Sequence, residues 1–288
     1  MALKTENLSP LMGARVEISK ADLLSGIHAA EIRQILDQRG ILLFRGVAPD
    51  ENELREIART LGELRIGASK RGADGKVLKE GDEGILKVTL DEKVNPAYAR
   101  FLLGNHIWHM DGTYEEIPPL ATIFTPVRLS ATGGDTLFTN TYAAYDDLSE
   151  EMKARIAGYR VLHTMQSALF PAMRDCTAEE FAVWASYPQR IHPLVWQHGS
   201  GRKSLVLGAS AAVIQDIHPI ESHDLLQELM LHATQDKYVY RHKWVPGDLV
   251  IWDNTGALHK VEPFDKDSGR LFNRCTLNGE EAITAVAA

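Results

Sequence analysis

Cysteine is scarce in this chain, with only Cys176 and Cys275 among 288 residues. Small secreted domains depend on several disulfides and zinc ribbons on closely paired cysteines, so the sequence excludes both classes. It also lacks any apolar run of about 18 residues, the length that a membrane-spanning helix needs. The residues after Met1 form no apolar signal-peptide region. We therefore expect a cytoplasmic protein with two reduced thiols and no membrane partner.

Positively charged residues are also fewer than negatively charged ones. The chain carries 31 lysines and arginines against 39 acidic residues, a formal net charge of −8. Because no long basic run offsets this balance, nucleic acid is excluded as a partner. A local pair of bases, Lys70 and Arg71, could still attract a small acid. The apolar content of 44% is enough for one sizeable core, and we expect a single domain over residues 1–288.

Short strand-like segments dominate the hydrophobic pattern. Amphipathic helices are predicted at residues 21–39, 50–61, 143–156 and 223–234. Strands are predicted at residues 41–44, 85–90, 121–124, 136–138, 159–163, 205–207, 238–242 and 248–252. Many short strands with few helices between them favour a mainly β fold with flanking helices, a double-sheet jelly roll, over a doubly wound sheet.

The residues that suggest chemistry are His109, Asp111 and, far downstream, His259. His109 and Asp111 are two positions apart, so on a β-strand both side chains would point to one face. Two imidazoles and one carboxylate can occupy one face of an octahedral Fe(II), leaving positions for a bidentate organic acid and for O₂. The alternative is an ordinary hydrogen-bonded histidine followed by a turn aspartate before Gly112.

Two arginines follow His259. Arg270 comes after ten intervening residues, at the start of a strand-like run at 270–277, and its planar fork could bind a carboxylate in bidentate fashion. Arg274 lies four residues later, so on a strand it would face the same way. Its functional interpretation is an anchor for a substrate carboxylate or sulfonate, and the alternative is a surface arginine.

Further motifs strengthen this pattern. Thr136 ends the run Gly133-Gly134-Asp135-Thr136, and Trp252-Asp253-Asn254 precedes the second histidine. With the His-x-Asp pair and the two arginines, the chain resembles the Fe(II)/2-oxoglutarate-dependent dioxygenases of the taurine dioxygenase and 2,4-dichlorophenoxyacetate dioxygenase (TauD/TfdA) family over nearly its whole length.

The resemblance implies a fold, cofactors and roles for single residues. The fold would be a double-stranded β-helix, with Fe(II) on His109, Asp111 and His259, and with 2-oxoglutarate and O₂ as cosubstrates. Thr136 would join Arg270 on the distal carboxylate of 2-oxoglutarate. Substrate would meet Arg274, Asn105 and Lys70. Homo-oligomers, dimers or tetramers, are common in the family and are expected here.

Within the family the chain is most similar to the aryloxyacetate branch, through the runs 199–203 and 238–244. It departs from relatives at three places. Thr255 follows Trp-Asp-Asn where many relatives have arginine. Gly67 and Lys70 stand where taurine enzymes place a histidine and a tyrosine, which disfavours taurine as the substrate. Ser210 stands where the aryloxyacetate branch has a histidine.

The resemblance also suggests that an insert at about 164–202 covers the active site as a mobile lid, the alternative being a fixed surface region. The expected activity is hydroxylation of a small carboxylate- or sulfonate-bearing organic acid, with ether cleavage for an aryloxyalkanoate, releasing succinate and CO₂. One rival is a hydroxylase, desaturase or epimerase of the same family acting on an amino-acid-derived or other metabolite acid. Another is an iron-binding jelly-roll module without catalysis.

Overall fold

The structure, a computed structural model, describes residues 2–66, 69–71, 77–79, 84–95 and 98–286, with the backbone alone for 69–71 and 77–79. Its strands are β1 (Lys4–Asn7), β2 (Ala14–Glu17), β3 (Ile41–Phe44), β4 (Ser69–Arg71), β5 (Val77–Lys79), β6 (Leu86–Val88), β7 (Ala121–Arg128), β8 (Thr136–Asn140), β9 (Arg160–His163), β10 (Arg190–Pro193), β11 (Val195–Gln197), β12 (Lys203–Leu205), β13 (Ala211–Ile214), β14 (Val239–His242), β15 (Leu249–Asp253), β16 (Ala257–Val261) and β17 (Leu271–Thr276). Its α-helices are α1 (Lys20–Ser25), α2 (Ala29–Arg39), α3 (Glu51–Leu61), α4 (Thr141–Asp146), α5 (Glu150–Ile156), α6 (Met165–Leu169), α7 (Ala178–Ala185) and α8 (Pro219–Ala233), with 3₁₀ helices η1 (Phe101–His106) and η2 (Lys266–Ser268).

Two sheets pack face to face and enclose the centre of the molecule. The larger sheet has the strand order β1-β2-β3-β15-β7-β17-β6, and the smaller has the order β14-β8-β16. Phe138 of β8 meets Trp252 of β15 with ring centroids 5.5 Å apart. Phe124 of β7 stacks on Phe272 of β17 at 4.5 Å. This apolar layer between the sheets confirms the predicted mainly β, double-sheet fold with flanking helices.

Helices cover the outer face of the larger sheet. Helix α3 buries Leu54, Ile57 and Leu61 in a cluster that also contains side chains from β7, β15 and β17. Its start is fixed by a capping box, because Asp50 accepts hydrogen bonds from backbone amides of the first turn and Glu53 accepts one from the Asp50 amide. Such a cap is worth about 1 kcal/mol. The predicted helix at 50–61 is confirmed.

Two predicted helices are wrong as continuous segments. The predicted helix 21–39 is divided into α1 and α2 at Gly26, whose φ of 70° is left-handed. A Cβ there would lie 2.9 Å from the Thr60 side chain, so this position favours glycine on both grounds. The predicted helix 143–156 is divided into α4 and α5, and Ser149 caps the second of them. Apolar periodicity continues across both breaks, which is why it did not reveal them.

Other boundaries move by a few residues. The strand predicted at 205–207 is wrong by two positions, since β12 ends at Leu205, and the helix predicted at 223–234 already begins at Pro219, next to the capping residue His218. Residues 164–202 hold α6, α7, β10 and β11. Within the described part of the chain, the helices are too short or too polar to cross a bilayer.

Candidate metal centre

His109 and His259 form a small antiparallel bridge in the fold. The His109 amide donates to the His259 carbonyl at 3.0 Å, and the His259 amide donates back at 2.9 Å. The reciprocal bonds bring the two rings together, with centroids 4.1 Å apart. Asp111 does not continue a strand but begins a turn, so the prediction that His109 and Asp111 share a β-strand is wrong. The turn nevertheless directs the carboxylate toward His259.

The three side chains form one group of potential metal ligands. One ligand atom from each of His109, Asp111 and His259 lies within 4.8 Å of the others, and the His259 Nε2–Asp111 Oδ2 distance is 3.9 Å. His109 Nδ1 lies 2.8 Å from the Ile107 carbonyl, which it can reach only as a donor, so Nε2 is the nitrogen of this ring that can bind a metal. Burial, and then the neighbouring His109, hold the pKa of His259 well below its ordinary value and keep that ring neutral. Two imidazoles and one carboxylate are a donor set that fits Fe(II).

Two side chains donate hydrogen bonds to the carboxylate of Asp111. Arg274 Nη2 donates to Asp111 Oδ2 at 2.6 Å, and Thr122 Oγ1 donates to the same oxygen at 3.3 Å. Asn254 Nδ2 in turn donates to Thr122 Oγ1 at 3.1 Å, which gives the Trp-Asp-Asn motif a contact with the site. Thr122 and Asn254 were not predicted as site residues. Arg274, predicted as a substrate anchor, is ion-paired with the candidate ligand Asp111.

Arg270 is a buried cation on the other side of the rings. Its guanidinium lies over the rings of Phe264 and Phe272, 4.7 Å and 4.0 Å from their centroids, and only 5% of the residue is exposed. Nη2 donates to the Gly134 carbonyl at 3.2 Å, and no carboxylate of the described residues lies within salt-bridge distance. Burial lowers its pKa to about 9. A desolvated guanidinium whose only polar partner among the described residues is a carbonyl is a strong site for an anion.

The turn before Thr136 leaves room for this cation. Gly134 has a φ of 78°, and a Cβ there would lie 2.9 Å from Arg270 Nε. Thr136 Oγ1 accepts a hydrogen bond from Trp244 Nε1 at 2.9 Å, which leaves the hydroxyl hydrogen available for a carboxylate. Thr136 and Arg270, both predicted for the cosubstrate, line one cavity of about 50 Å³. Trp244 was not predicted as a site residue.

A second cavity, of about 80 Å³, opens on the other side of the candidate metal ligands. Asp111 lines this cavity only, while His109, Asn105 and Arg274 line both cavities. The structure therefore brings Asn105 and Arg274, two of the three predicted substrate residues, to the wall that the cavities share. The side chain of Lys70 lies outside the described residues.

Helix α6 of the predicted insert contributes Met165, Ala168 and Leu169 to this second cavity. A third cavity, of about 250 Å³ beside Tyr142 and Asp253, contains none of the predicted site residues, so cavity size alone does not mark the site. Of the two cavities beside the candidate ligands, we call that of about 50 Å³ the smaller cavity and that of about 80 Å³ the larger cavity.

Comparison with known proteins agrees with this geometry. Residues 4–276 match the family described as taurine catabolism dioxygenase TauD, TfdA family. The chain belongs to the TauD/TfdA family. It is 35% identical to the alpha-ketoglutarate-dependent 2,4-dichlorophenoxyacetate dioxygenase of Burkholderia sp. (strain RASC), over 97% of this chain and 95% of that protein. It is 34% identical to the (S)-phenoxypropionate/alpha-ketoglutarate-dioxygenase of Sphingobium herbicidovorans, over 84% of each chain.

A solved structure of AAD-2 in complex with Mn(II) and N-oxalylglycine superposes with a TM-score of 0.80, at 28% identity over 99% of this chain and all of that one. The predicted family, jelly-roll fold and enzyme class are confirmed. The chain is an alpha-ketoglutarate (2-oxoglutarate)-dependent dioxygenase, with Fe(II), 2-oxoglutarate and O₂ as its cofactor and cosubstrates.

Proposed function

We propose that this dioxygenase hydroxylates a small carboxylate- or sulfonate-bearing organic acid of the aryloxyalkanoate type, releasing succinate and CO₂. The names of two relatives support this class, since they name 2,4-dichlorophenoxyacetate and (S)-phenoxypropionate as substrates. The observation that carries the proposal is the buried cation Arg270, without a carboxylate partner among the described residues, beside a complete His-Asp-His group.

We assign the smaller cavity to the cosubstrate and the larger cavity to the substrate. His109, Asp111 and His259 hold Fe(II). Arg270 and Thr136 bind the distal carboxylate of 2-oxoglutarate from the smaller cavity.

The proposed substrate residues are Arg274, Asn105 and Lys70. Asn105 and Arg274 line the larger cavity, and Arg274 contributes positive charge while it is paired with Asp111. Its guanidinium has five N–H donors, so it can bind Asp111 and the substrate acid at the same time.

The protein's own part in the reaction is positioning. Bound Fe(II) with 2-oxoglutarate supplies the oxidising chemistry that activates O₂ for attack on a C–H bond. Arg274 and Thr122 fix the Asp111 carboxylate, while Arg270 fixes the far end of the cosubstrate. Apolar side chains of α6 keep water away from the larger cavity. Hydroxylation of a carbon that bears an ether oxygen gives a hemiacetal-like product, which falls apart and so cleaves the ether.

The test begins with anaerobic titration of the Fe(II) protein with 2-oxoglutarate, followed through the visible absorption of the metal chelate. Arg270→Gln should weaken 2-oxoglutarate binding about 10- to 100-fold, because it removes a charge-assisted pair. Arg128→Gln, on the neighbouring strand β7, is the control. Adding O₂ with aryloxyalkanoates, alkylsulfonates and amino-acid-derived acids should then give succinate with one class. Absence of the chelate absorption from a folded, iron-loaded protein would overturn the cosubstrate assignment.

A second outcome of the same chemistry is biosynthetic oxidation of another metabolite acid. The chain is 28% identical to the pentalenolactone F synthase of Streptomyces arenae, over 86% of this chain. The mass of the product separates hydroxylation, which adds one oxygen, from desaturation, which removes two hydrogens.

We also propose that the chain is one catalytic domain over residues 1–288, with the insert at about 164–202 acting as a mobile lid, and that it works in the cytoplasm as a homo-oligomer. Contacts of α6 with the larger cavity support the lid, and the scarcity of cysteine in the sequence supports a reducing compartment. The family resemblance supports the oligomer, which light scattering would test.

A further inference from the structure

Three polar side chains form a connected cluster at the edge of the larger cavity. His163 Nδ1 lies 2.9 Å from Ser210 Oγ, and Ser210 Oγ lies 2.7 Å from Thr113 Oγ1. His163 ends β9, Ser210 immediately precedes β13, and Thr113 lies in the turn that begins at Asp111. Ser210 and Thr113 line the cavity that also contains Asp111 and Arg274. The cluster thus presents hydroxyl groups to the space assigned to the substrate.

The imidazole of this cluster is neutral. His163 is fully buried, and burial, followed by the nearby His192, lowers its pKa to about 3. His163 Nε2 is buried and has no hydrogen-bond partner in the described part of the chain. An orphaned N–H is rarer in a folded protein than an orphaned acceptor lone pair. The tautomer that avoids this cost carries its hydrogen on Nδ1, so Nδ1 donates to Ser210 Oγ.

This tautomer determines which hydrogen-bond donor the cluster presents to a ligand. Ser210 and Thr113 have one hydroxyl hydrogen each, and the hydrogen bond between them uses one of the two. If Ser210 donates to Thr113, the Thr113 hydrogen is left over, and if Thr113 donates to Ser210, the Ser210 hydrogen is left over. Since His163 already donates to Ser210, neither hydroxyl can give its remaining hydrogen to the ring. In both arrangements one neutral O–H donor is available to the cavity.

We propose that the Ser210–Thr113 pair, set by His163, is a neutral donor subsite that binds an oxygen acceptor of the substrate outside its acid group. Together with Arg274 it selects organic acids that also carry an ether or carbonyl oxygen, over acids with a methylene at that place. The inference rests on the proposed function and narrows its substrate class. It also gives Ser210, the position of a departure from the aryloxyacetate branch, a definite role.

The experiment compares two nearly isosteric probes, phenoxyacetate and 3-phenylpropanoate, in which a methylene replaces the ether oxygen. Their dissociation constants are measured anaerobically on the Fe(II)–2-oxoglutarate protein, through the change in chelate absorption, so that C–H reactivity does not enter. Wild type should bind the ether about 3- to 10-fold more tightly, the size of one neutral hydrogen bond. The double variant Thr113→Val/Ser210→Ala, which removes both hydroxyl hydrogens, should bring this ratio close to one.

Ser204→Ala is the matched control. Ser204 is a buried serine that is also hydrogen-bonded to a histidine, with His198 Nε2 2.8 Å from its hydroxyl oxygen, but it does not line the cavity. This variant should keep the wild-type preference for the ether. His163→Asn, which preserves a hydrogen-bond donor near the Nδ1 position, should keep most of the preference for the ether.

The outcomes separate the subsite from the proposed function. Equal binding of the two acids by wild type overturns the subsite alone, even if the double variant fails to fold. An ether preference that survives in Thr113→Val/Ser210→Ala also overturns it. If neither acid binds to a protein that forms the 2-oxoglutarate chelate, the aryloxyalkanoate proposal fails and the subsite fails with it.

Discussion

Trp244 donates a hydrogen bond from its indole Nε1 to the hydroxyl oxygen of Thr136 at 2.9 Å. The indole is itself fixed by edge-on contacts with Phe124 and Phe272, whose ring centroids lie 5.6 Å and 4.8 Å away. Because the oxygen of Thr136 accepts from the indole, its hydrogen points elsewhere, and the smaller cavity with Arg270 is the space beside it. Trp244 thereby orients the hydroxyl of Thr136, a residue that we propose binds the cosubstrate.

Trp244→Phe should therefore raise the KM for 2-oxoglutarate about 3- to 10-fold, since one orienting hydrogen bond is lost while most of the ring packing stays. The kcat at saturating 2-oxoglutarate should change much less. Steady-state succinate assays give both constants. Trp196→Phe is the control, because its Nε1 is buried without a hydrogen-bond partner in the described part of the chain. An unchanged KM in Trp244→Phe would contradict the orienting role.

Metal binding should stabilise the protein. Mn(II), used as a redox-stable substitute at about 100 times its Kd, should add about 2.7 kcal/mol to the free energy of unfolding. For a domain of this size that is a rise in Tm of about 5 °C or somewhat more, measured by calorimetry. His259→Gln should abolish the rise in Tm. His106→Gln should keep it, since His106 binds the Val261 carbonyl through Nδ1 and is not a proposed ligand. A similar rise in both variants would disprove the ligand assignment of His259.

The neutral His163 should make stability depend on pH. The unfolded ring has its ordinary pKa of 6.5, whereas the folded ring has a pKa of about 3. Between these values the unfolded state binds the extra proton, so stability falls as pH falls, by up to about 1.4 kcal/mol per pH unit. His163→Asn should make the loss between pH 7 and pH 5 about 2 kcal/mol smaller, as measured by urea unfolding. His223→Asn, which replaces an exposed ring, should leave this loss of stability unchanged. Identical slopes for wild type and His163→Asn would refute the buried neutral ring.

Arg100 links the proposed lid to the segment that precedes the proposed metal ligands. Its Nε donates to Glu180 Oε1 at 2.6 Å, and its Nη2 donates to Asp175 Oδ1 at 3.1 Å. Arg100→Ala should increase proteolysis within residues 170–186 by up to about 5-fold, because partly exposed ion pairs contribute about 0–1 kcal/mol. The KM for substrate should rise and that for 2-oxoglutarate should not. Arg155→Ala removes a comparable ion pair with Glu221 elsewhere. Equal cleavage of the two variants would argue for a fixed insert.

The candidate ligands could be predicted from the sequence because few residue types bind iron. His109, Asp111 and His259 were identified from residue type, spacing and family motifs, although the strand assumed for the first two is a bridge and a turn. Strand alternation also gave a sound expectation for Arg270 and Arg274, which line the same cavity. These inferences need only local periodicity, the chemistry of the side chains and the family motifs.

The supporting residues could not be predicted in the same way. Thr122 and Asn254 are ordinary polar residues, and their roles depend on the pairing of β7 with β15. The role of Trp244 depends on the register of β14 with β8, in which His242 faces Thr136 and places Trp244 two residues further along. Registers between distant strands are set by the whole core, so the sequence of either strand alone did not reveal them.

The bridge between His109 and His259 joins positions that are 150 residues apart in the chain. A ribosome-bound chain therefore exposes His109 and Asp111 long before their third companion has been synthesised. Two donors on a flexible segment hold a divalent ion only weakly. We therefore expect iron to bind to the three proposed ligands only after the chain has been synthesised and the two sheets have closed.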